Sequence, residues 1–210
     1  MKVLENQWLT YVKRLQAIAS TGLHFAEGVF DRERFEEIAR ISNAMLADLG
    51  NVPINHIPDL MPPMGTAYAT PLIEVRGAVI VDDQILLVRE KFDGLWTMPG
   101  GYADVGLSGA ENTAKEVWEE AGLRVSVKSL FSVRHKAKGA YKLDPRDFYK
   151  LYFLCESEPG AVPRVGVETS EVGFFSPDAL PPLSEGRTIV GDILDAFRFA
   201  RGEVTTTIFD

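Results

Sequence analysis

The chain has 210 residues, of which 46% are hydrophobic, and a formal net charge of −8. Such a composition is typical of a globular protein with one mid-sized domain, or one domain and a small appendage, and predicts a substantial core. The acidic balance argues against a nucleic-acid partner, because a broad nucleic-acid-binding surface needs clustered Lys and Arg.

Two features of the chain bear on its compartment. No apolar run reaches the length of a membrane span, and residues 1–6 lack the apolar core of a signal peptide. The single cysteine, Cys155, excludes an intrachain disulfide and predicts a buried, inert thiol in a reducing environment. We therefore expect a cytoplasmic protein without a membrane partner.

Residues 1–50 predict two amphipathic helices. The first should end at Gly22, and the second should begin after Asp31 and end at Gly50. Their apolar positions recur with helical period and comprise Leu4, Trp8, Val12, Leu15, Ile18 and Ala19, then Phe35, Ile38, Met45 and Leu49. Two such helices cannot close a core alone, so they must pack on the rest of the chain or on a second copy.

The segment from Asn51 to Thr70 has the composition of a linker, with four prolines and Gly65. We therefore predict a helical extension in residues 1–65 and the main domain in residues 66–210.

From Leu72 onward the pattern changes to short β-type runs. Val75–Val81 and Ile85–Val88 flank Asp82-Asp83, which predicts a hairpin. Further strands are predicted at Val125–Val133, Phe148–Cys155 and Val172–Phe175, with a last helix at about Thr188–Arg201. The residues Thr205–Phe209 fit either an edge strand or a frayed end.

The most informative stretch runs from Gly100 to Leu123 and contains Glu116, Glu119 and Glu120. On a helix these three carboxylates share one face, with Cβ atoms roughly 5–6 Å apart. A solvated acidic face is the commonest reading of such a cluster. Against it, the helix follows a Gly-Gly turn, and glutamates near its C-terminus oppose the macrodipole. The three carboxylates also repel one another, and a bound Mg²⁺ or Mn²⁺ would relieve both costs, since these ions prefer oxygen ligands.

This stretch resembles the signature of the Nudix hydrolases, which reads Gly, five residues, Glu, seven residues, Arg-Glu-apolar-any-Glu-Glu-any-Gly-apolar. Here it runs from Gly101 to Leu123, with Lys115-Glu116-Val117-Trp118-Glu119-Glu120-Ala121-Gly122 in its second half. Two positions depart from it, since Leu107 stands for the first Glu and Lys115 for the Arg. The strict spacing of the remainder makes the resemblance specific.

The departures have a physical interpretation. Ser108 and Glu111 are spaced as a capping box at the helix start. Glu111 and Lys115 are spaced i, i+4 in the favourable order, and we predict that this pair braces the helix in place of the usual Glu–Arg pair.

The run GLWTMPGGYADVG, the Lys-Glu-Val triplet and the helical N-terminal extension look like the CDP-choline pyrophosphatase-like branch of the family. This resemblance extends from about Trp8 to Leu194. It implies an α/β/α sandwich with a mixed sheet after a small helical subdomain, and a homodimer with residues 1–50 at the interface. It also implies Mg²⁺- or Mn²⁺-dependent hydrolysis of the pyrophosphate in a nucleotide substrate, a nucleoside diphosphate linked to another moiety such as CDP-choline or ADP-ribose.

The resemblance also implies roles for individual residues. Glu116, Glu119 and Glu120 would hold the metal, and the Gly101 carbonyl would complete its shell, although a plain turn glycine is as good an interpretation. Glu120 is the favoured general base, and the alternatives Glu168 and Glu171 lie in a loop before the last long strand.

Two further residues are candidates for substrate binding. Tyr102 follows the glycines and is a better pocket candidate than Trp96, which we expect in the core. Arg134 belongs to a basic cluster with His135, Lys136 and Lys138. We favour a solvated loop for this cluster, and contact with a substrate phosphate is the alternative.

Two other function classes stay open at this point. A non-catalytic Nudix-like binding module would explain the missing signature Glu at Leu107, but the intact trio of glutamates argues against it. A metal-dependent RNA exonuclease would use the same metal centre, but the acidic composition argues against tight RNA binding.

Overall fold

The computed structural model describes residues 7–50, 54–57, 65, 68–104 and 106–210. These residues form two compact units. The first contains the described residues up to Leu72 together with Leu143–Asp147, and the second contains Ile73–Lys142 and Phe148–Asp210. The sequence did not indicate that Leu143–Asp147 joins the first unit. In the described ranges, no helix is both long enough and apolar enough to cross a membrane.

The first unit is a pair of helices, α1 (Gln7–Phe25) and α2 (Val29–Gly50), followed by a short 3-10 helix at Ile54–His56. Its small core lies between the helices and consists of Leu9, Val12, Leu46, Ala47 and Ile57. Leu4 and the linker prolines lie outside the described residues.

α2 ends at Gly50 as predicted, but the other two predicted helix boundaries in this unit need correction. Gly22 lies inside α1, and a Cβ there would come 2.3 Å from the ring of Phe35, so the glycine makes room for α2. The second helix begins two residues before Asp31, whose carboxylate lies 2.7 Å from Arg34. Asp31 is therefore part of the first turn and not its cap.

The second unit is built on a mixed sheet of seven strands in the described residues. The strands are β1 (Leu72–Val81), β2 (Gln84–Glu90), β3 (Trp96–Thr97), β4 (Val125–His135), β5 (Phe148–Ser157), β6 (Thr169–Phe175) and β7 (Ile208–Phe209). Their order is β3-β2-β1-β5-β4-β7, and β6 pairs with β2. β4 is antiparallel to β5 and parallel to β7, so the C-terminal residues form an edge strand.

Two helices, α3 (Gly109–Ala121) and α4 (Val190–Ala200), cover opposite faces of this sheet. Along β1, Val75 and Val79 pack with Val117 of α3, whereas Ala78 packs with Ile193 of α4. Alternating side chains of one strand thus reach two different cores. The arrangement confirms the predicted α/β/α sandwich with a mixed sheet.

Two local predictions in the second unit are also confirmed. Asp82 and Asp83 both adopt positive φ in the tight turn between β1 and β2, which pair antiparallel. Cys155 is a buried free thiol, and burial raises its pKa to about 12. Such a thiol stays protonated and unreactive.

Candidate active site

The acidic helix α3 begins and ends as its sequence predicts. The Ser108 hydroxyl accepts a hydrogen bond from the Glu111 backbone N–H at 3.2 Å, and the Glu111 carboxylate accepts one from the Ser108 N–H at 2.8 Å. At the other end, Gly122 has a φ of 63° and donates its N–H to the Trp118 carbonyl. The capping box and the left-handed glycine set the length of the helix.

The predicted pair between Glu111 and Lys115 is wrong. The Lys115 ammonium lies 3.1 Å from the Asp104 carboxylate and 3.0 Å from that of Glu119. These two contacts, that with Glu119 foremost, raise the pKa of Lys115 above its usual value. Because the capping box draws the Glu111 carboxylate back to Ser108, Lys115 takes its partner from the preceding loop.

A second residue, Asn112, fastens the same loop to α3. Its buried side chain accepts a hydrogen bond from the Asp104 N–H at 2.9 Å and donates to the carbonyls of Asp104, Leu107 and Ser108. Leu107 is itself exposed. The loop is therefore held by Asn112 and Asp104, and not by a residue at position 107.

This arrangement predicts how the brace affects turnover. Asp104→Asn and Lys115→Met should each lower turnover by about tenfold, because both loosen the loop that precedes the acidic helix. The double variant should be no slower than either single one, since the two residues act as one contact. Steady-state rates with saturating metal would test this, with Glu111→Gln as the control that leaves the rate nearly unchanged. Additive losses in the double variant would contradict the shared role.

Glu120 is the most buried carboxylate of the acidic helix, with 6% of its surface exposed. It accepts a hydrogen bond from the Gly100 N–H at 2.9 Å. Burial raises its pKa to about 8, and the nearby carboxylates of Glu90 and Glu116 add to this, although Arg76 and the Gly100 N–H oppose it. Burial likewise raises the pKa of Glu116, with a smaller contribution from Glu119. Both carboxylates therefore lie where negative charge is costly.

The raised pKa of Glu120 predicts a pH dependence of stability when metal is chelated. The usual value is 4.5 and the folded value about 8, so the folded state keeps a proton that the unfolded state has lost. Stability should therefore fall as the pH rises through this window. Thermal unfolding in chelator from pH 5 to pH 8 would test this, and the Glu120→Gln variant should lose most of the slope. A wild-type slope that the variant retains would contradict the assignment.

Gly101 lies beside the Glu116 carboxylate, whereas the Glu119 side chain lies toward the surface. Half of the Glu119 side chain is exposed, and its carboxylate contacts Lys115. The Gly101 carbonyl accepts a hydrogen bond from the Val75 N–H at 2.9 Å, which leaves one of its two lone pairs. A Cβ on Gly101 would come 3.1 Å from Glu116 Oε2, so the backbone lies directly against that carboxylate.

The chemistry of these donors fits a divalent cation, although they are not gathered around one point. No three Asp, Glu, His or Cys side chains in the described ranges lie close enough together to hold an ion. Glu116 and Glu120 nevertheless provide two hard oxygen donors beside a glycine whose backbone approaches closely. Glu119 is not gathered with them, and its Oε2 contacts Lys115.

The two alternative base candidates lie on the surface. Glu168 is exposed, and its backbone carbonyl accepts a hydrogen bond from the Lys91 N–H. Glu171 lies on β6 and not in the predicted loop; it is also exposed, and its carboxylate binds Arg89 at 2.5 Å. Neither carboxylate is buried as that of Glu120 is.

The aromatic candidates differ as the sequence suggested. Trp96 is half-buried and packs edge-on against Phe175, with ring centroids 4.7 Å apart. Tyr102 is half-exposed, pairs with Glu74 of β1 in an antiparallel bridge, and lies 6.0 Å from the Phe148 ring. Only Tyr102 offers a ring surface beside the glycine turn.

The basic cluster does not form one solvated loop. Arg134 binds Asp195 at 2.7 Å and Asp210 at 3.2 Å, which ties β4 to α4 and to the C-terminal residue. Lys136 is only 8% exposed, and its ammonium lies 4.7 Å from the centroid of the Phe148 ring. The solvated-loop interpretation is therefore wrong for Lys136, and Arg134 has a structural task.

Sequence reasoning missed Arg76, a buried residue of β1. Its side chain is 2% exposed, and Nη1 donates to the Met98 carbonyl at 3.1 Å. Its positive charge partly offsets the rise in pKa that burial causes at Glu116 and Glu120. An arginine inside the apolar run Val75–Val81 was the signal that could have identified it.

Two known family models match separate parts of the chain, one over the N-terminal helices and one over the sheet and its helices. Residues 6–61 match the model of the UDP-X-like N-terminal oligomerisation domain. Residues 71–197 match the model of the NUDIX domain.

Individual proteins resemble the chain over most of its length. YjhB of Bacillus subtilis (strain 168), a candidate ADP-ribose pyrophosphatase, is 41% identical over 99% of both chains. The crystal structure of a UDP-X diphosphatase is 32% identical, with a TM-score of 0.63, over 97% of this chain and 98% of that one. That of an ADP-ribose pyrophosphatase from Streptococcus suis is 39% identical, with a TM-score of 0.60, over 67% of this chain and all of that one.

Proposed function

The chain belongs to the Nudix hydrolase family and is a pyrophosphohydrolase, and on this premise we propose that its substrate is a nucleoside diphosphate linked to another moiety. ADP-ribose is the first candidate, because two of the similar proteins bear its name. A UDP-linked compound and CDP-choline are further candidates of the same chemical class. We also propose that the enzyme works in the cytoplasm and that its domains divide near residue 65.

The observation that carries this proposal is the buried carboxylate pair Glu116 and Glu120 beside the Gly100-Gly101 turn. These residues, with the Gly101 carbonyl and a reoriented Glu119, would hold Mg²⁺ or Mn²⁺. Such an ion, when bound, neutralises phosphate oxygens and makes a bound water more acidic. The protein itself supplies buried, fixed polar groups that can compensate the charge of the pyrophosphate.

Glu120 is the residue we assign as general base. Its carboxylate is the most buried of the acidic helix, and in the metal-free protein this burial raises its pKa to about 8. A cation bound beside it would lower that pKa and favour the ionised form, which can accept a proton. The Gly100 N–H holds the carboxylate in a fixed orientation through its 2.9 Å hydrogen bond. Glu168 and Glu171 remain alternatives, but both are exposed, and the Glu171 carboxylate is paired with Arg89.

A product assay tests the proposal against the two alternatives. Purified protein would be incubated with ADP-ribose, CDP-choline or a UDP-sugar, each with Mg²⁺, with Mn²⁺ or with chelator. We expect metal-dependent release of the nucleoside monophosphate from at least one of them. Binding without release would favour the non-catalytic module, and cleavage confined to a labelled RNA oligonucleotide would favour the exonuclease.

We propose that the protein is a homodimer joined through α1. Large apolar side chains recur at helical spacing on the face of α1 that α2 leaves exposed, and they are Trp8 (62% exposed), Tyr11, Ile18 and Phe25. A stripe of this kind on a long helix is typical of an interaction surface. The match of residues 6–61 to an oligomerisation domain supports the same face.

Charged substitutions in this stripe should dissociate the dimer. Ile18→Asp and Phe25→Asp each place a charge on the apolar face and should halve the mass measured by light scattering. Val162→Asp, at an exposed valine of the second unit, is the matched control and should leave the mass unchanged. An unchanged mass in both α1 variants would exclude this stripe as the interface.

A further inference from the structure

We propose that the second unit contains an anion subsite formed by Arg76, Lys136 and Lys150, in which the Glu74 carboxylate holds the place of a substrate phosphate. The identity of the ligand rests on the proposed function, since a nucleoside diphosphate brings two phosphates. One phosphate would lie at Glu116 and Glu120, and the other would displace Glu74 from its basic partners.

The geometry begins with two neighbouring strands. Glu74 and Arg76 are two residues apart on β1 and so point to the same face, and Lys150 lies on the adjacent strand β5. The Glu74 carboxylate binds the Lys150 ammonium and lies 3.8 Å from Nη2 of Arg76. Lys150 is completely buried and Arg76 nearly so. Two buried cations therefore share one carboxylate.

Arg76 has a donor that the protein does not use. Its Nε is buried and has no hydrogen-bond partner among the described residues, while Nη1 donates to the Met98 carbonyl. A buried donor without an acceptor is costly, and it is seldom retained unless it has a task. A phosphate offers several acceptor oxygens, and a guanidinium matches them with paired donors.

Lys136 and two aromatic rings complete the subsite. Lys136 lies over the Phe148 ring, and its charge acts on Glu74 together with those of Arg76 and Lys150. Burial would raise the pKa of Glu74, but these three cations outweigh it and hold the pKa below its usual value. Tyr102 pairs with Glu74 across the bridge and is half-exposed.

Arg76 also connects the subsite to the acidic cluster. Its charge acts on Glu116 and Glu120 as well as on Glu74. The carbonyl to which it donates belongs to Met98, two residues before the Gly100 N–H that binds Glu120. Arg76 is therefore the group of this subsite whose charge reaches the acidic cluster.

The simpler explanation is that Glu74 and Lys150 are only a buried ion pair. Removing one partner of such a pair destabilises the fold, because the other charge stays buried. Stability alone therefore does not distinguish the two explanations. Anion affinity does distinguish them, because only a subsite predicts that removing the Glu74 carboxylate tightens the binding of an anion.

The test is the binding of inorganic pyrophosphate to the full-length protein in chelator, by calorimetry and by thermal shift. Glu74→Gln should bind pyrophosphate several-fold more tightly than wild type, because it removes the competing carboxylate. Lys150→Met should weaken binding by about tenfold or more. Glu74→Gln with Lys150→Met removes one charge of each sign and leaves the net charge of the cluster unchanged, so it should be more stable than Lys150→Met alone and still bind weakly. Lys128→Met, at a surface lysine paired with Glu156, is the control that should change nothing.

Kinetics add a second measurement. With ADP-ribose as substrate, Lys150→Met should raise KM by about tenfold and keep kcat within about threefold, since the residue binds a phosphate and does not react. The subsite is overturned if wild type does not bind pyrophosphate, or if Glu74→Gln lowers stability without tightening binding. Pyrophosphate binding that depends on Lys150, in a protein that hydrolyses none of the substrates, would support the subsite and refute the proposed function. Hydrolysis of a substrate at a rate that none of these substitutions changes would support the proposed function and refute the subsite.

Discussion

Replacing Glu120 by Gln should lower turnover by about 100-fold to 10,000-fold, which is the range expected for removing a general base. The glutamine keeps the shape of the side chain and can still accept the 2.9 Å hydrogen bond from the Gly100 N–H. It loses the negative charge that burial makes costly and that the metal and the proton-transfer step require. Thermal stability in chelator should therefore hold or rise while activity is lost.

The same loss of turnover is expected for Glu119→Gln, although this residue lies on the surface. Its carboxylate contacts Lys115, and we predict that it turns to the metal when the ion binds. Glu156→Gln is the matched control, because Glu156 is also exposed and paired with a lysine. Rates within about threefold of wild type for both Glu119→Gln and Glu120→Gln would contradict the metal-site assignment.

The parts of the site that the sequence predicted depend on contacts between near neighbours in the chain. The capping box joins Ser108 to Glu111, and the helix ends where Gly122 adopts positive φ. Each of these follows from residue type and spacing alone. The same holds for the hairpin turn at Asp82-Asp83.

The parts that the sequence did not predict depend on contacts between distant segments. Lys115 contacts Asp104 of the preceding loop, because the Glu111 carboxylate is hydrogen-bonded to the Ser108 N–H in the capping box. Lys150 meets Glu74 only because β5 lies beside β1 in the sheet. The two-residue strand β3 is defined by its pairing with β2, and no periodicity can indicate a strand that short.

The helix dipole gives less reason to expect a cation than the sequence suggests. Glutamates at the end of α3 oppose the helix dipole, and this was a reason to expect a cation. Three hydrogen bonds from residues 164–169 satisfy the last carbonyls of α3. The Arg164 N–H binds the Ala121 carbonyl at 2.7 Å, and the Gly166 N–H and Thr169 hydroxyl bind that of Glu120 at 3.2 and 2.8 Å. The case for a metal therefore rests on the buried carboxylates and not on the dipole.

Gly100 is the residue at which an added methyl group should do most damage. Its φ is +148°, and a Cβ there would come 2.1 Å from the Val75 carbonyl oxygen and 2.9 Å from Cα of Arg76. Both are backbone atoms, so no side-chain rotation can relieve the clash. The turn and β1 would have to separate, which would move the Gly100 N–H away from Glu120.

Gly100→Ala should therefore lower the free energy of unfolding by roughly 2 to 4 kcal/mol and reduce turnover by about 100-fold. Gly160→Ala separates the steric clash from the strain of a positive φ. Gly160 also has positive φ, at +75°, but a Cβ there would meet nothing within 4 Å. This control should cost about 1 kcal/mol of backbone strain and leave turnover unchanged. Denaturant unfolding and steady-state rates would measure both. If Gly100→Ala were no more harmful than Gly160→Ala, the turn could not lie against β1, and Glu120 would lack the contact that orients it.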